Sequence, residues 1–257
     1  MKGRLENSDL AGEAYLIIRE RILRGETPIG HVISRRKIAA ELGMSFLPVS
    51  EAFLRLEFEG LLESRPRAGT RVRIPSREDV QGHYRVREAL EVEAARLFVD
   101  TASPEERAEL LKLAARVDAM STQPETNRIH YLKLHEKLHR RIAECTRCPA
   151  LVDAIEKTCA LSSTWLCVGR KFSNGHPPTR HQQLMEVLAT GSREAAAEAM
   201  RDHVVVSMKR ALERLEPYFQ AVKVQGRTYS RNPRKQLSVE MAEASLDAKP
   251  VNGRNGA

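Results

Sequence analysis

The chain has 257 residues, enough for two modest domains with separate cores, and it contains no run of about 18 apolar residues that would make a membrane-spanning helix. Its net charge of +8 is unevenly placed: residues 1–75 carry 13 Lys/Arg against 10 Asp/Glu, residues 219–257 carry 7 against 3, and the middle is nearly neutral. That distribution permits a nucleic-acid partner at the ends and gives no reason to expect a membrane partner. Cys145, Cys148, Cys159 and Cys167 crowd into 23 residues without the look of a disulfide framework, and the opening MKGRLENSDLAGE has no apolar h-region. A reducing, cytoplasmic location is therefore expected.

In chain order, AYLIIRERILRG is an amphipathic helix with Ala14, Ile17 or Ile18, and Ile22 on one face and Gly25 as its stop. After a turn at Pro28 and Gly30, Ser34 caps a short helix, RRKIAAEL, that Gly43 ends. Ser45 caps the next, whose apolar residues Val49, Ala52, Phe53 and Leu56 follow the i, i+3, i+4, i+7 pattern. Two short helices about a tight turn have helix-turn-helix spacing. LLESRPRAGTRVRIP then reads as a two-stranded hairpin crowded with Arg65, Arg67, Arg71 and Arg73, which makes the whole a winged helix over residues 8–75.

From Ser76 to about Tyr218 the pattern is helical throughout, with breaks at Ser103-Pro104, Pro124, Pro149, Pro177-Pro178 and Gly191-Ser192. The expected fold is mostly α: an N-terminal winged helix and, over 76–218, an antiparallel bundle of about six helices. Within the bundle, IHYLKLHEKLHRRIA places Tyr131, His135, Leu138, His139 and Ile142 on one face. His181 shares a stripe with Leu184, Met185 and Leu188, and His203 one with Ala196, Ala199, Met200 and Val206. One histidine on an apolar stripe is ordinarily core. Four on three inward faces read as a metal-ligand set, and neutral imidazoles suit zinc, nickel, copper or iron.

The same stretch, His135-Glu136-Lys137-Leu138-His139, is a formal HExxH match, so a metal-dependent hydrolase with Glu136 as base is the competing reading. The lack of a nearby strand, the lack of a following GxxH and the two surplus histidines weigh against it. Cys145 and Cys148 form a lone CxxC, read as two buried thiols, and Trp165 is read as core. Residues 219–257 lose periodicity and are expected to be a disordered basic tail.

The segments RGETPIG, ISRRKIAAELGMS, PVSEAFLRLEFEGLLE and RPRAGTRV resemble the winged-helix domain of GntR-type bacterial transcription regulators. The resemblance implies a homodimer that binds near-palindromic operator DNA, with Arg36 touching it from the second helix. The two recognition-helix positions that commonly hold arginine carry Phe46 and Ser50 here, which removes bidentate guanine readout and implies an unusual operator. Ser45, at the start of that helix, is counted with these DNA-facing residues. Gly69 corresponds to the wing tip, and Arg67 and Arg71 to phosphate contacts. The helical half is similar to the FCD effector domain of the FadR-like subgroup. That likeness implies a divalent transition metal, zinc or nickel foremost, on His139, His181 and His203, with His135 where an aspartate is usual. It also implies a small organic acid gripped by Arg87; the same residue could equally form a surface pair with Glu91 one turn on.

Overall fold

The computed structural model describes residues 2–65, 69–121, 128–167 and 180–228. Helix α1 (Lys2–Leu23) buries Ala14, Tyr15, Ile18, Ile22 and Leu23 and packs on α3 (Phe46–Phe58). Between them lies α2 (Arg35–Leu42), held at its start by Ser34, whose hydroxyl accepts the Lys37 N–H at 3.4 Å. Gly43 ends it at φ 64°, a left-handed conformation that costs a residue with a Cβ about 1 kcal/mol or more. Ser45 has extended N-cap geometry at α3, but its hydroxyl makes no capping bond. On α3 the expected face is sealed: Val49, Ala52, Phe53 and Leu56 are fully buried.

The hairpin forms as β2 (Leu62–Arg65) and β3 (Gly69–Val72), antiparallel, with Leu62 opposite Val72 and Arg65 opposite Gly69. A third strand, β1 (Val32–Ile33), pairs with the other edge of β3 and gives the order β1-β3-β2. Two residues carry no alternation signal, so this strand is set by its partner rather than by its own pattern.

Six helices follow: α4 (Arg77–Thr101), α5 (Pro104–Ser121), α6 (Arg128–Cys145), α7 (Pro149–Cys167), α8 (Arg180–Thr190) and α9 (Arg193–Thr228). Ser76 and Asp79 form a reciprocal capping box at α4, and Ser103 and Glu106 form another at α5, satisfying amides that a helix start leaves open. Helix α6 lies against α4, α5 and α7, and α8 against α4 and α5. Ala94, Ala143, Leu151, Ile155 and Cys159 form one apolar cluster among α4, α6 and α7. No described helix is long and apolar enough to cross a membrane.

Contacts gather Met1–Glu216 into one compact unit and assign Pro217 onward to a second, which among the described residues consists of the last turns of α9. The helix thus continues ten residues into the segment expected to be an irregular tail. Pro217 removes only one backbone bond, and Phe219, Ala221 and Val222 keep a helix-compatible run going. The rest of that tail, 229–257, lies outside the described residues.

Within the first unit, the end of α1 is fastened to α6. Leu23 packs on Leu132, flanked by Ile129 and Tyr131, and Arg19 Nη2 donates to Glu136 Oε1 at 2.6 Å. A cleft of about 930 Å³ opens beside this seam, lined by residues of α1, α3, α6 and α7 and by none of the four histidines.

Candidate functional site

Helix geometry stacks His135 and His139 on one face of α6, one turn apart. Their Nε2 atoms are 3.2 Å apart and their ring centroids 4.5 Å apart. The first turn of α8 brings His181 to 5.1 Å from the His135 ring, and α9 brings His203 to 5.0 Å from His181 and 5.2 Å from His139. All four are buried, and each offers one ring nitrogen within 4.8 Å of those of the other three. The structure therefore brings together the four histidines that the helical stripes single out.

Two carboxylates orient the rings. Asp118 on α5 has an oxygen 2.6 Å from His181 Nδ1, and it also accepts the backbone amides of His181 at 3.1 Å and Gln182 at 2.9 Å. A carboxylate only accepts, so Nδ1 carries the proton and Nε2 keeps its lone pair for the cluster. Glu91 Oε2 lies 2.5 Å from His139 Nδ1, close enough to pair though out of line for a straight hydrogen bond, and Glu91 Oε1 accepts from Arg87 Nε. Burial pushes the Glu91 carboxyl up, but Arg87 and then His139 outweigh it and hold it at about 2. Burial, reinforced by the neighbouring rings and arginines, drives His135 and His203 well below the ordinary histidine range. His181 is also lowered by burial, against the opposing pull of Asp118. His135, His181 and His203 are thereby biased toward the neutral form, the one a metal takes.

The donor set fits a metal ion. His181 Nε2 and both nitrogens of His203 are buried with no hydrogen-bond partner among the described residues, at about 1–3 kcal/mol for each such group. Nitrogens bound to one ion at about 2.1 Å lie no more than about 4.2 Å apart, so small side-chain movements would close this set around one. Arg87, fully buried, has Nη2 3.4 Å from His139 Nε2 and leaves Nη1 without a partner. Its i,i+4 pair with Glu91 is real, but it is interior rather than on the surface. Tyr84, one turn earlier, is buried with its hydroxyl also unpartnered.

Glu136 points elsewhere. Its carboxylate is committed to Arg19 at the α1 seam, not to the histidine cluster, so no general base stands where a hydrolase of the HExxH type needs one. Sequence reasoning did not single out Asp118 or Glu91 as orienting groups; for Asp118, 63 residues from His181, no local spacing could have done so. Cys145 and Cys159 are buried, and burial pushes the Cys145 thiol up to about 11; Cys148 is half-buried, and the side chain of Cys167 lies outside the described residues. Trp165 is core, edge-on to His83 and stacked near Tyr84.

The predicted DNA-facing residues have mixed surroundings. Arg36 and Ser45 are exposed, and Phe46 is 54% exposed at the start of α3 beside Leu47 at 58%. Ser50 is half-buried, with its hydroxyl oxygen shielded and unpartnered. Gly69 has φ 80°, as a tight turn into β3 requires. Arg71 is paired with Glu63 across the strands. Arg67 lies outside the described residues.

Comparison with known proteins gives this architecture a lineage. Residues 10–72 match the bacterial regulatory proteins of the gntR family, and residues 83–205 match the FCD domain. A probable D-xylose utilization operon transcriptional repressor from Paenarthrobacter nicotinovorans is 30% identical over 78% of this chain and 88% of its own length. The HTH-type transcriptional repressor RspR of Escherichia coli K12 is 23% identical over 75% and 84%. Among solved structures, a GntR regulator from Rhodococcus sp. RHA1 aligns with a TM-score of 0.65 at 23% identity, covering 79% of this chain and 97% of that one. E. coli McbR/YncC aligns at 0.62 and 20%, covering 82% and 98%. The two matches fall on the winged helix and on the helical bundle in turn, and the chain belongs to the GntR family as a DNA-binding transcription regulator with an FCD domain.

Proposed function

We propose that this protein is a homodimeric repressor whose operator affinity responds to a small carboxylate bound beside a divalent transition metal, zinc or nickel foremost. The observation that carries this reading is the ring of four buried imidazoles with partnerless nitrogens, two of them aimed by carboxylates from behind. His135, His139, His181 and His203 would hold the ion, which supplies a Lewis-acidic seat for a carboxylate. Arg87, with Nη1 free and Glu91 holding Nε, is preorganised to take one oxygen of that acid.

The winged helix over 8–75 reads DNA, with Arg36, Ser45, Phe46, Ser50, Arg67, Gly69 and Arg71 as its contact set, and the bundle over 76–218 carries the effector and the dimer interface. Phe46, which is exposed, would meet a thymine methyl. The 30%-identical relative is a probable repressor, and repression is the sign proposed here. A cytoplasmic location, on the nucleoid when operator-bound, follows from that role. Acid binding shifts the population of dimer geometries, and by linkage operator binding weakens an inducing acid by the same factor.

The test is elemental analysis of wild type and of His139→Ala/His181→Ala, with operator binding measured in parallel. About one transition metal per chain, lost in the double variant, supports the site. A wild type that takes up neither zinc nor nickel refutes it. Arg36→Ala should weaken operator binding and lower its salt dependence by about one phosphate contact. An unchanged salt slope would remove Arg36 from the interface.

A further inference from the structure

We infer that Tyr84 is a binding residue for the acid, its hydroxyl donating to the same carboxylate that Arg87 Nη1 holds. The inference rests on the metal-and-acid reading above and adds a second donor to that site.

Tyr84, Arg87 and Glu91 stand at i, i+3 and i+7, so one stripe of α4 carries all three into the interior, where each is at most 2% exposed. Glu91 reaches His139 Nδ1, and Arg87 brings Nη2 to 3.4 Å from His139 Nε2. Tyr84 lies one turn further from Glu91, with its ring centroid 5.6 Å from the central guanidinium carbon of Arg87. Trp165 stacks near the Tyr84 ring at 6.3 Å and 28°, and the His83 ring meets it edge-on. His83 Nε2 is engaged by the Thr158 carbonyl and the Ser162 hydroxyl, so it does not serve the phenol.

Two buried donors on this stripe are left unused. Tyr84 Oη and Arg87 Nη1 have no hydrogen-bond partner among the described residues. Burial raises the Tyr84 pKa, so the phenol keeps its proton, and Arg87 is the charged group that acts on it most. A guanidinium has no acceptor atom. Even a bond from Arg87 to the phenol oxygen would leave the phenol O–H open. What both groups lack is an anionic oxygen. A carboxylate has two oxygens and about four lone-pair sites, so it can accept from both and still present an oxygen to an ion. Without such a ligand the hydroxyl only costs stability, since a buried polar group with no partner is unfavourable and phenylalanine fills nearly the same space.

The test compares wild type with Tyr84→Phe, both loaded with cobalt(II), with loading checked by elemental analysis. Acetate and benzoate are titrated in and followed by the visible absorption of the metal, and each protein is also melted without acid. The expected result in Tyr84→Phe is a loss of acid affinity of about five- to ten-fold, the worth of one hydrogen bond. Metal content stays unchanged, and the acid-free Tm equals or exceeds that of wild type. The acid concentration that releases operator DNA shifts by the same factor as the affinity. A side chain that serves packing alone does not weaken binding while the fold is preserved. Affinity within about two-fold of wild type, a Tm that falls together with affinity, or no acid bound by metal-loaded wild type overturns the inference. Failure to load metal instead overturns the underlying reading.

Discussion

Glu136 sits between two histidines in the sequence yet turns away from them to pair with Arg19. Replacing it with Gln removes the charge at nearly constant shape. Arg19 is then left 13% exposed with its Nε already partnerless and only the weaker pull of Glu59 as counter-charge. Breaking a fully buried pair costs about 3–5 kcal/mol, whereas a surface pair is worth about 0–1 kcal/mol. Glu136 is about a quarter exposed, so the expected loss lies between, about 1–2 kcal/mol, or about 2–4 °C in Tm per kcal/mol for a body of this size. The assay is a double-mutant cycle in denaturant with Arg19→Met, Glu136→Gln and the pair, repeated for operator affinity. The coupling should exceed about 0.5 kcal/mol in stability, and the single variants should blunt the response of DNA binding to an acid without loss of metal. Additive effects within about 0.3 kcal/mol, or loss of a hydrolytic turnover in Glu136→Gln, would refute the assignment of this residue as a strut between α1 and α6.

Asp118→Asn should lower metal affinity about 10–100-fold in a chelator competition, because the ring of His181 loses the acceptor that fixes its tautomer; unchanged affinity would mean α8 aims the ring alone. Tyr15 donates to Glu59 at 2.7 Å, and burial, followed by Glu59, pushes it up to about 12. A folded-state pKa above the ordinary 10 gives stability that is complete below pH 10 and is lost as pH rises through 12, up to about 2.7 kcal/mol at 1.36 kcal/mol per unit. Alkaline denaturation should therefore steepen between pH 10 and 12 and flatten in Tyr15→Phe, and identical curves would count against it.

What could be read from residues alone was what is local. Ser34, Gly43, Ser76, Pro104 and Pro149 mark helix ends because capping and ring chemistry act within a few residues. The histidine stripes were legible for the same reason: a helix repeats every 3.6 residues, and burial follows the stripe. What could not be read depends on partners distant in sequence. β1 exists because β3 has a free edge, and Arg87 becomes interior because α6 and α7 close over it. Glu136 falls within a catalytic-looking motif, and only the position of Arg19, 117 residues earlier, reveals its different role.

Asp118 holds His181 by two routes, through its ring and through the amides of the chain that carries it. The amide grip is indifferent to which side chains follow, since every residue but proline presents the same N–H. The first turn of α8 can therefore change its other residues while the imidazole of His181 keeps its bearing. A pocket built this way can be retuned toward a new acid by substitutions at its rim, with its inorganic centre left undisturbed.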